Sequence, residues 1–241
     1  MLIKNLKFYF RYLVNRFSKY PIIYNNSFNF QKTLNHFHIN KVIDVGAYTG
    51  TYVQALRRFG YKGKIISFEP VKKSHEILLK NASRDKNWIV YEKIALGSKK
   101  SKVKINISKK SDSSSILKIK ERHIRLEPNS KIISQEEVKL DKLDNILKNL
   151  IYKKDNCLLK IDTQGYEYEV LQGAKKNLKK FKLIQLELSL VELYSKQKKI
   201  EKIINFLKKN NFETWCIYPG FRDKNNGQLL QYDIILHKNN L

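Results

Sequence analysis

Val42-Ile43-Asp44-Val45-Gly46-Ala47-Tyr48-Thr49-Gly50-Thr51-Tyr52 is the stretch that decides the reading of this chain. An apolar run ends in an acid, and two glycines four residues apart then open a helical pattern. Such a run predicts a strand, a tight turn and a helix N-terminus, the unit with which open α/β folds hold a nucleotide-like ligand at the carboxyl ends of their strands. Glycines suit the turn because the backbone can bend and approach a ligand with no Cβ in the way.

The same residues narrow the ligand. A dinucleotide site uses Gly-x-Gly-x-x-Gly, whose backbone N–H groups reach a pyrophosphate. Here the pattern is Asp-x-Gly-x-x-x-Gly, and the carboxylate of Asp44 would repel a phosphate. An acid at that point suits a ligand with a cationic end, and S-adenosylmethionine carries both an ammonium and a sulfonium. A second short apolar strand, Lys64-Ile65-Ile66-Ser67-Phe68, runs into Glu69 about 20 residues beyond the glycines, where such folds set a carboxylate on ribose hydroxyls. Gly46, Ala47 and Gly50 are expected along the methionine part, Asp44 near the ammonium and Glu69 on the ribose. The plainer alternative is that both acids only cap or solvate strand ends.

Composition bounds the rest. With 241 residues, 42% of them hydrophobic, the chain has the size of one α/β domain. Cys157 and Cys216 lie in apolar runs and read as small buried hydrophobes of a reduced, cytoplasmic protein, with a single disulfide as the other reading. No apolar run approaches the roughly 18 residues that span a bilayer. A net charge of +26 invites a nucleic-acid partner, but 40 of the 48 basic residues are Lys, spread along the whole chain. A site built to grip phosphates favours the bidentate Arg fork. Attraction to polyanions follows from this charge, and specific nucleic-acid recognition does not.

Residues 1–24 are basic and amphipathic: Ile3, Leu6, Phe10, Leu13, Val14 and Phe17 recur at helical spacing opposite Lys4, Lys7 and Arg11, until Pro21. They predict a helix that packs on the domain or a second subunit, or one that attaches peripherally to an anionic membrane at the inner surface. Residues 1–40 are therefore set apart as this helix and its lead-in, and 41–241 as the main domain. Strands are expected near 42–45, 64–68, 88–94, 102–107, 136–140, 157–161, 183–188, 213–217 and 231–236. Helices are expected near 51–59, 71–82, 141–149, 167–179 and 196–209. Such alternation argues a parallel sheet with helices on both faces. The last two strands have no helix between them and read as a hairpin. Residues 108–135 carry no clear period, and their Ser-rich start and basic continuation read as a lid or substrate loop.

Two strands carry charge where a sheet centre should be apolar. In Cys157-Leu158-Leu159-Lys160-Ile161-Asp162, residues Lys160 and Asp162 share a face. They either pair with each other, or Asp162 stands at the cofactor crevice and accepts a proton from a hydroxyl. Leu183-Ile184-Gln185-Leu186-Glu187 repeats the theme, so Glu187 is a second candidate, for catalysis or for a salt bridge in the strand layer. The five histidines show no metal-ligand spacing and no metal ligand is assigned, a divalent cation held by Asp162, Glu187 and other oxygens being the lesser reading; His123, in the loop, is a fallback general base.

These residues resemble the FkbM family of S-adenosylmethionine-dependent methyltransferases from about Lys41 to Leu236. The likeness rests on Val42–Gly50, Phe68-Glu69-Pro70, Ala95-Leu96-Gly97, and Leu159-Lys160-Ile161-Asp162-Thr163-Gln164-Gly165-Tyr166-Glu167 followed by Val170-Leu171-Gln172-Gly173-Ala174. The last block is the specific one. The family usually has Glu before the glycine of that block, where this chain has Gln164, so hydrogen bonding survives there and a carboxylate role does not. Ser113-Ser114-Ser115 resembles the family's serine-containing loop.

The resemblance implies a Rossmann-like class I methyltransferase fold, with a mostly parallel seven-stranded sheet and an antiparallel C-terminal hairpin. It implies methyl transfer to a hydroxyl of a sugar, such as a surface glycan, or of a secondary metabolite. Tyr48, Pro70 and Ala95 then join the cofactor site, and Lys160, Gln164 and Ser114 the substrate site. An RNA or DNA methyltransferase is the rival within the fold, but Asp162-Thr163-Gln164-Gly165 is not the Asn/Asp-Pro-Pro-aromatic turn that often marks a base pocket. A non-catalytic membrane- or partner-binding protein is the rival from another class, disfavoured by the intact Asp44, Gly46, Gly50 and Glu69.

Overall fold

The structure, a computed structural model, describes residues 26–239, so the expected amphipathic helix in residues 1–24 lies outside the described residues. The chain runs α1 (Asn26–His36), β1 (Lys41–Val45), α2 (Thr51–Arg58), β2 (Lys64–Phe68), α3 (Lys72–Ala82), β3 (Trp88–Val90), β4 (Ala95–Leu96) and β5 (Ser101–Ser108). It continues with α4 (Glu121–Leu126), β6 (Ile132–Asp141), α5 (Leu143–Ile146), β7 (Cys157–Ile161) and α6 (Glu167–Gly173). It closes with β8 (Phe181–Ser189), α7 (Ile200–Lys208), β9 (Phe212–Pro219) and β10 (Gln231–Lys238).

Seven strands form one sheet in the order β3-β2-β1-β7-β8-β10-β9, and β10 runs antiparallel to both of its neighbours. Strand order reverses at the β1/β7 boundary, the switch point at which open α/β sheets bind ligands beyond their carboxyl ends. Alternation along the strands separates two cores. Val42, Ile65, Leu158 and Leu183 face Leu34 of α1, Leu56 of α2 and Leu78 of α3. Ile43, Ile66, Leu159 and Ile184 face Leu143 of α5, Val170 of α6 and Leu207 of α7. The architecture is the Rossmann-like class I methyltransferase sheet that the sequence predicts.

Several boundaries differ for local reasons. The expected helix over 167–179 stops at Gly173, where a Cβ would meet the Gly97 carbonyl oxygen at 2.0 Å, so only glycine lets the helix end this close to β4. The strand expected over 88–94 pairs only through Val90. Helix α1 is unannounced by the sequence because its run Asn26–His36 is mostly polar; Leu34 is nonetheless buried, and Phe37 packs edge-on against Trp215 at 4.9 Å. Residues 108–135 are more regular than their sequence suggests. They hold α4 and the start of β6, which joins β4 and β5 in a separate three-stranded sheet beside the main one. Both cysteines are free. Among the described residues no helix is long and apolar enough to cross a membrane.

Candidate active site

Strand register builds the site in two polar rows. In the lower row Asp44 stands beside Ser67 on one side and Lys160 on the other, and Lys160 stands beside Gln185. Two residues further on, each chain leaves its strand on the same face: Glu69 after β2, Gly46 after β1 and Asp162 after β7. Glu187 and Asp233 then face each other across β8 and β10. These rows lie along a cleft of about 630 Å³, a normal size for a small-molecule site, which is also lined by Lys110–Asp112 and Ser114–Ile116 of the loop after β5.

Asp44 is fully buried beneath the cleft and does not line it. This corrects the expected contact with the ligand's ammonium. Its Oδ2 accepts a hydrogen bond from Ser67 Oγ at 2.9 Å, and its Oδ1 lies 3.3 Å from Lys160 Nζ. Burial raises its pKa even with the lysine beside it. Lys160 Nζ also donates to the Gly46 carbonyl at 3.2 Å, lies 3.5 Å from Asp162 Oδ2 and sits over the Tyr52 ring. Burial alone would lower the lysine, but Asp44 and Asp162 outweigh it and the net shift is upward. Lys160 borders the cleft, yet its charge is taken up by these carboxylates, so it holds the floor together rather than reaching into the space above.

The glycine turn divides in the same way. Gly46, Ala47 and Tyr48 border the cleft, and so do Pro70 and Ala95. Gly46 has φ +78, and a Cβ there would lie 1.9 Å from the Asp162 carbonyl oxygen, so the turns that follow β1 and β7 come this close only because the residue is glycine. Gly50, expected on the methionine part, lies outside the cleft wall; its φ of +88 and the Trp88 ring, 2.4 Å from a built Cβ, explain it as a packing glycine. Glu69 does border the cleft. Its two oxygens accept from Tyr48 N at 2.8 Å and Val71 N at 2.9 Å, and burial pushes it up to about 7 against those two donors.

At the other end Asp162 has a side chain 33% exposed. Its Oδ1 accepts from Gln164 Nε2 at 2.7 Å, and the same nitrogen donates to Glu187 Oε2 at 2.9 Å. Glu187 is raised well above the ordinary range by burial, then by Asp162, Asp233 and Glu167 nearby. Glu167 does not reach the ligand space; it accepts from Thr163 N, Thr163 Oγ1 and Gly165 N, and so folds the turn that carries Asp162 and Gln164. Ser114 borders the cleft, with its Oγ accepting from Ser108 N. His123 does not: it is buried outside the cleft against Tyr194 and Phe221, and burial lowers it. A base role for His123 is thus corrected to a packing role.

Sequence reasoning missed Asp233, Gln185 and Tyr52. Burial and the nearby Asp162 push Asp233 up to about 6. Gln185 links it to Tyr52, donating to Asp233 Oδ1 at 3.4 Å and accepting from Tyr52 Oη at 2.8 Å. The signal was present: Gln231 and Asp233 share a face of an otherwise apolar strand, as Gln185 and Glu187 do in the neighbouring one. Among the described residues no group of three or more His, Cys, Asp and Glu is arranged to hold a metal ion.

A cleft at the switch point of this sheet, with a glycine turn and a carboxylate after the second strand, defines a nucleotide-cofactor enzyme site. A family model described as the methyltransferase FkbM domain matches residues 44–214, and the chain belongs to that family of S-adenosylmethionine-dependent methyltransferases. No curated protein matches it. Solved structures similar to it include Aeropyrum pernix fibrillarin with natively bound S-adenosyl-L-methionine, at 9% identity and a TM-score of 0.46, covering 82% of this chain and 66% of that one. An rRNA methylase from Streptococcus thermophilus is 10% identical with a TM-score of 0.48, covering 90% of this chain and 98% of that one. TrmK of M. capricolum in complex with S-adenosyl-homocysteine is 12% identical with a TM-score of 0.46, covering 86% and 68%.

Proposed function

We propose that the chain is an O-methyltransferase for a hydroxyl of a sugar or secondary metabolite, with Asp162 as the residue that receives or orients that hydroxyl. The observation that carries the reading is the cleft's acidic acceptor end. Asp162, Glu187 and Asp233 border it together, and Lys160, the cation nearest them, is already paired with Asp44 and Asp162. Carboxylates and amides accept hydrogen bonds from several hydroxyls at once. The carboxylates that are ionised repel phosphates, so the local field opposes the +26 charge of the whole chain and disfavours a nucleic-acid acceptor.

When bound, S-adenosylmethionine supplies an electrophilic methyl group on a sulfonium. The protein's share is then alignment, exclusion of water and removal of one proton. Glu69 and the Gly46–Tyr48 turn would hold the cofactor. Asp162 would hold the acceptor hydroxyl and accept its proton, and the loop after β5 would keep water out. Incubation with methyl-tritiated cofactor should label a saccharide or polyol acceptor. Label in RNA, with none in hydroxyl-bearing small molecules, would overturn the acceptor class.

The cofactor half has its own test. Glu69→Gln leaves one of the two N–H groups of Tyr48 and Val71 facing an amide NH₂ instead of an oxygen, and weakens a charged acceptor for ribose hydroxyls. Titration with S-adenosylhomocysteine should show a loss of about 1–3 kcal/mol. The wild-type affinity should also fall with pH. Glu69 holds its proton up to about 7, ribose hydroxyls favour its ionised form, and binding therefore releases that proton. Affinity should drop as pH goes below about 7 in the wild type and stay flat in the Gln variant; parallel profiles would remove Glu69 from the site.

A further inference from the structure

We propose that Gln164 is the positioning residue of the acceptor end: its amide clamps Asp162 and Glu187 together, and the buried Tyr194 hydroxyl fixes the amide's orientation. The inference rests on the reading of Asp162 as the hydroxyl's partner. Gln164 Nε2 donates to Asp162 Oδ1 at 2.7 Å and to Glu187 Oε2 at 2.9 Å, while its Oε1 accepts from Tyr194 Oη at 2.5 Å. Rotating the amide by half a turn would set its oxygen against two carboxylate oxygens and its NH₂ against a hydroxyl donor, so one orientation satisfies all three partners. Backbone geometry serves the same end. Gln164 has φ +56, in the region where non-glycine residues are strained, and its carbonyl accepts from Ser115 Oγ at 2.7 Å. A Cβ on Gly165 would lie 3.0 Å from Tyr194 Cβ and 3.1 Å from its ring, so that glycine makes room for the tyrosine. The side chain thus joins β7, β8 and the segment after β8, and the same residue's backbone carbonyl ties in the loop after β5.

Its chemical effect is on protons. Glu187 is faced by Asp162 at the end of β7, Asp233 from β10, Glu167 from α6 and Tyr194 after β8. Most of these are acids, and like charges drive protons onto carboxylates. Two N–H bonds from one neutral amide stabilise both carboxylates without adding charge. A lysine could do this only by neutralising the site, and a glutamate would need a proton of its own.

The experiment uses full-length protein saturated with S-adenosylhomocysteine and labelled with ¹³C at glutamate side-chain carboxyls. The Glu187 resonance is identified by its loss in Glu187→Gln. In Gln164→Glu and Gln164→Leu its titration midpoint should rise by about one pH unit or more, as expected when a neighbouring carboxylate is added or a donor to the ionised form is lost. Tyr194→Phe, which removes a single oxygen, should move it the same way by less, and it remains a test if the Gln164 variants do not fold. A wild-type midpoint in every folded variant overturns the clamp. Shifted midpoints together with an undiminished kcat in Asp162→Asn would keep the clamp and remove the catalytic reading, so the two fail separately.

Discussion

Gly46→Ala should abolish measurable cofactor binding and lower stability by at least about 3 kcal/mol. The residue sits at φ +78, where an L side chain costs about 1–3 kcal/mol on its own. The larger effect is contact. A Cβ at this position lies 1.9 Å from the carbonyl oxygen of Asp162 and 2.9 Å from its carbonyl carbon. Both partners are backbone, so no rotamer change relieves the clash. The turn must move away from β7, and with it go the Gly46 N–H bond to the Phe68 carbonyl and the Lys160 bond to the Gly46 carbonyl. Chemical denaturation and titration with S-adenosylhomocysteine measure the two losses. Wild-type values for both would mean that the turns after β1 and β7 do not approach this closely.

Lys160→Met should destabilise the protein by about 3–5 kcal/mol, the usual result of removing one partner from a buried ion pair. Asp44 has no exposed surface, and without the lysine only Ser67 remains to support its charge. The sign of the pH dependence follows. Burial already raises Asp44 above its unfolded value, and loss of Lys160 raises it further. Stability tied to such a group is fully present below the unfolded pKa and is lost as pH rises through the folded one. The deficit of Lys160→Met should therefore be largest at neutral pH and shrink as pH falls below ~4, where Asp44 becomes protonated in both states. Adding Asp44→Asn should recover much of the loss at pH 7. A double variant no better than Lys160→Met alone would show that the lysine matters through Gly46 or Tyr52 instead.

The parts of this molecule that were legible in the sequence are those with strict periodicity. The strands Lys64–Phe68 and Cys157–Ile161 stand where the apolar runs place them, and the acids that end them open onto the cleft. Which acids reach a ligand was not legible, because that depends on register. Asp44 and Asp162 both end apolar runs, yet Asp44 pairs with Ser67 and Lys160 one row below the cleft while Asp162 emerges into it. The pairing of Lys160 shows the same limit. Its sequence neighbour Asp162 is one partner, and its cross-strand neighbour Asp44 is the nearer one, at 3.3 Å against 3.5 Å. Asp233 went unread because a single acid in an apolar C-terminal strand gains meaning only when β10 is set beside β8. His123 misled for the opposite reason: loop position suggested exposure, and a short helix buries it under Tyr194.

Asp162→Asn tests the central claim most directly, through kcat and cofactor affinity measured on the same preparation. The substitution keeps the side chain's shape and an oxygen for Gln164, while it removes the carboxylate's capacity to accept a proton. The account predicts a fall in kcat of about 10²-fold or more, within the usual range for one acid–base group, with S-adenosylhomocysteine affinity nearly unchanged. Cofactor affinity and thermal stability lost together, or kcat left at the wild-type value, would contradict it and leave Asp162 as a structural partner of Lys160.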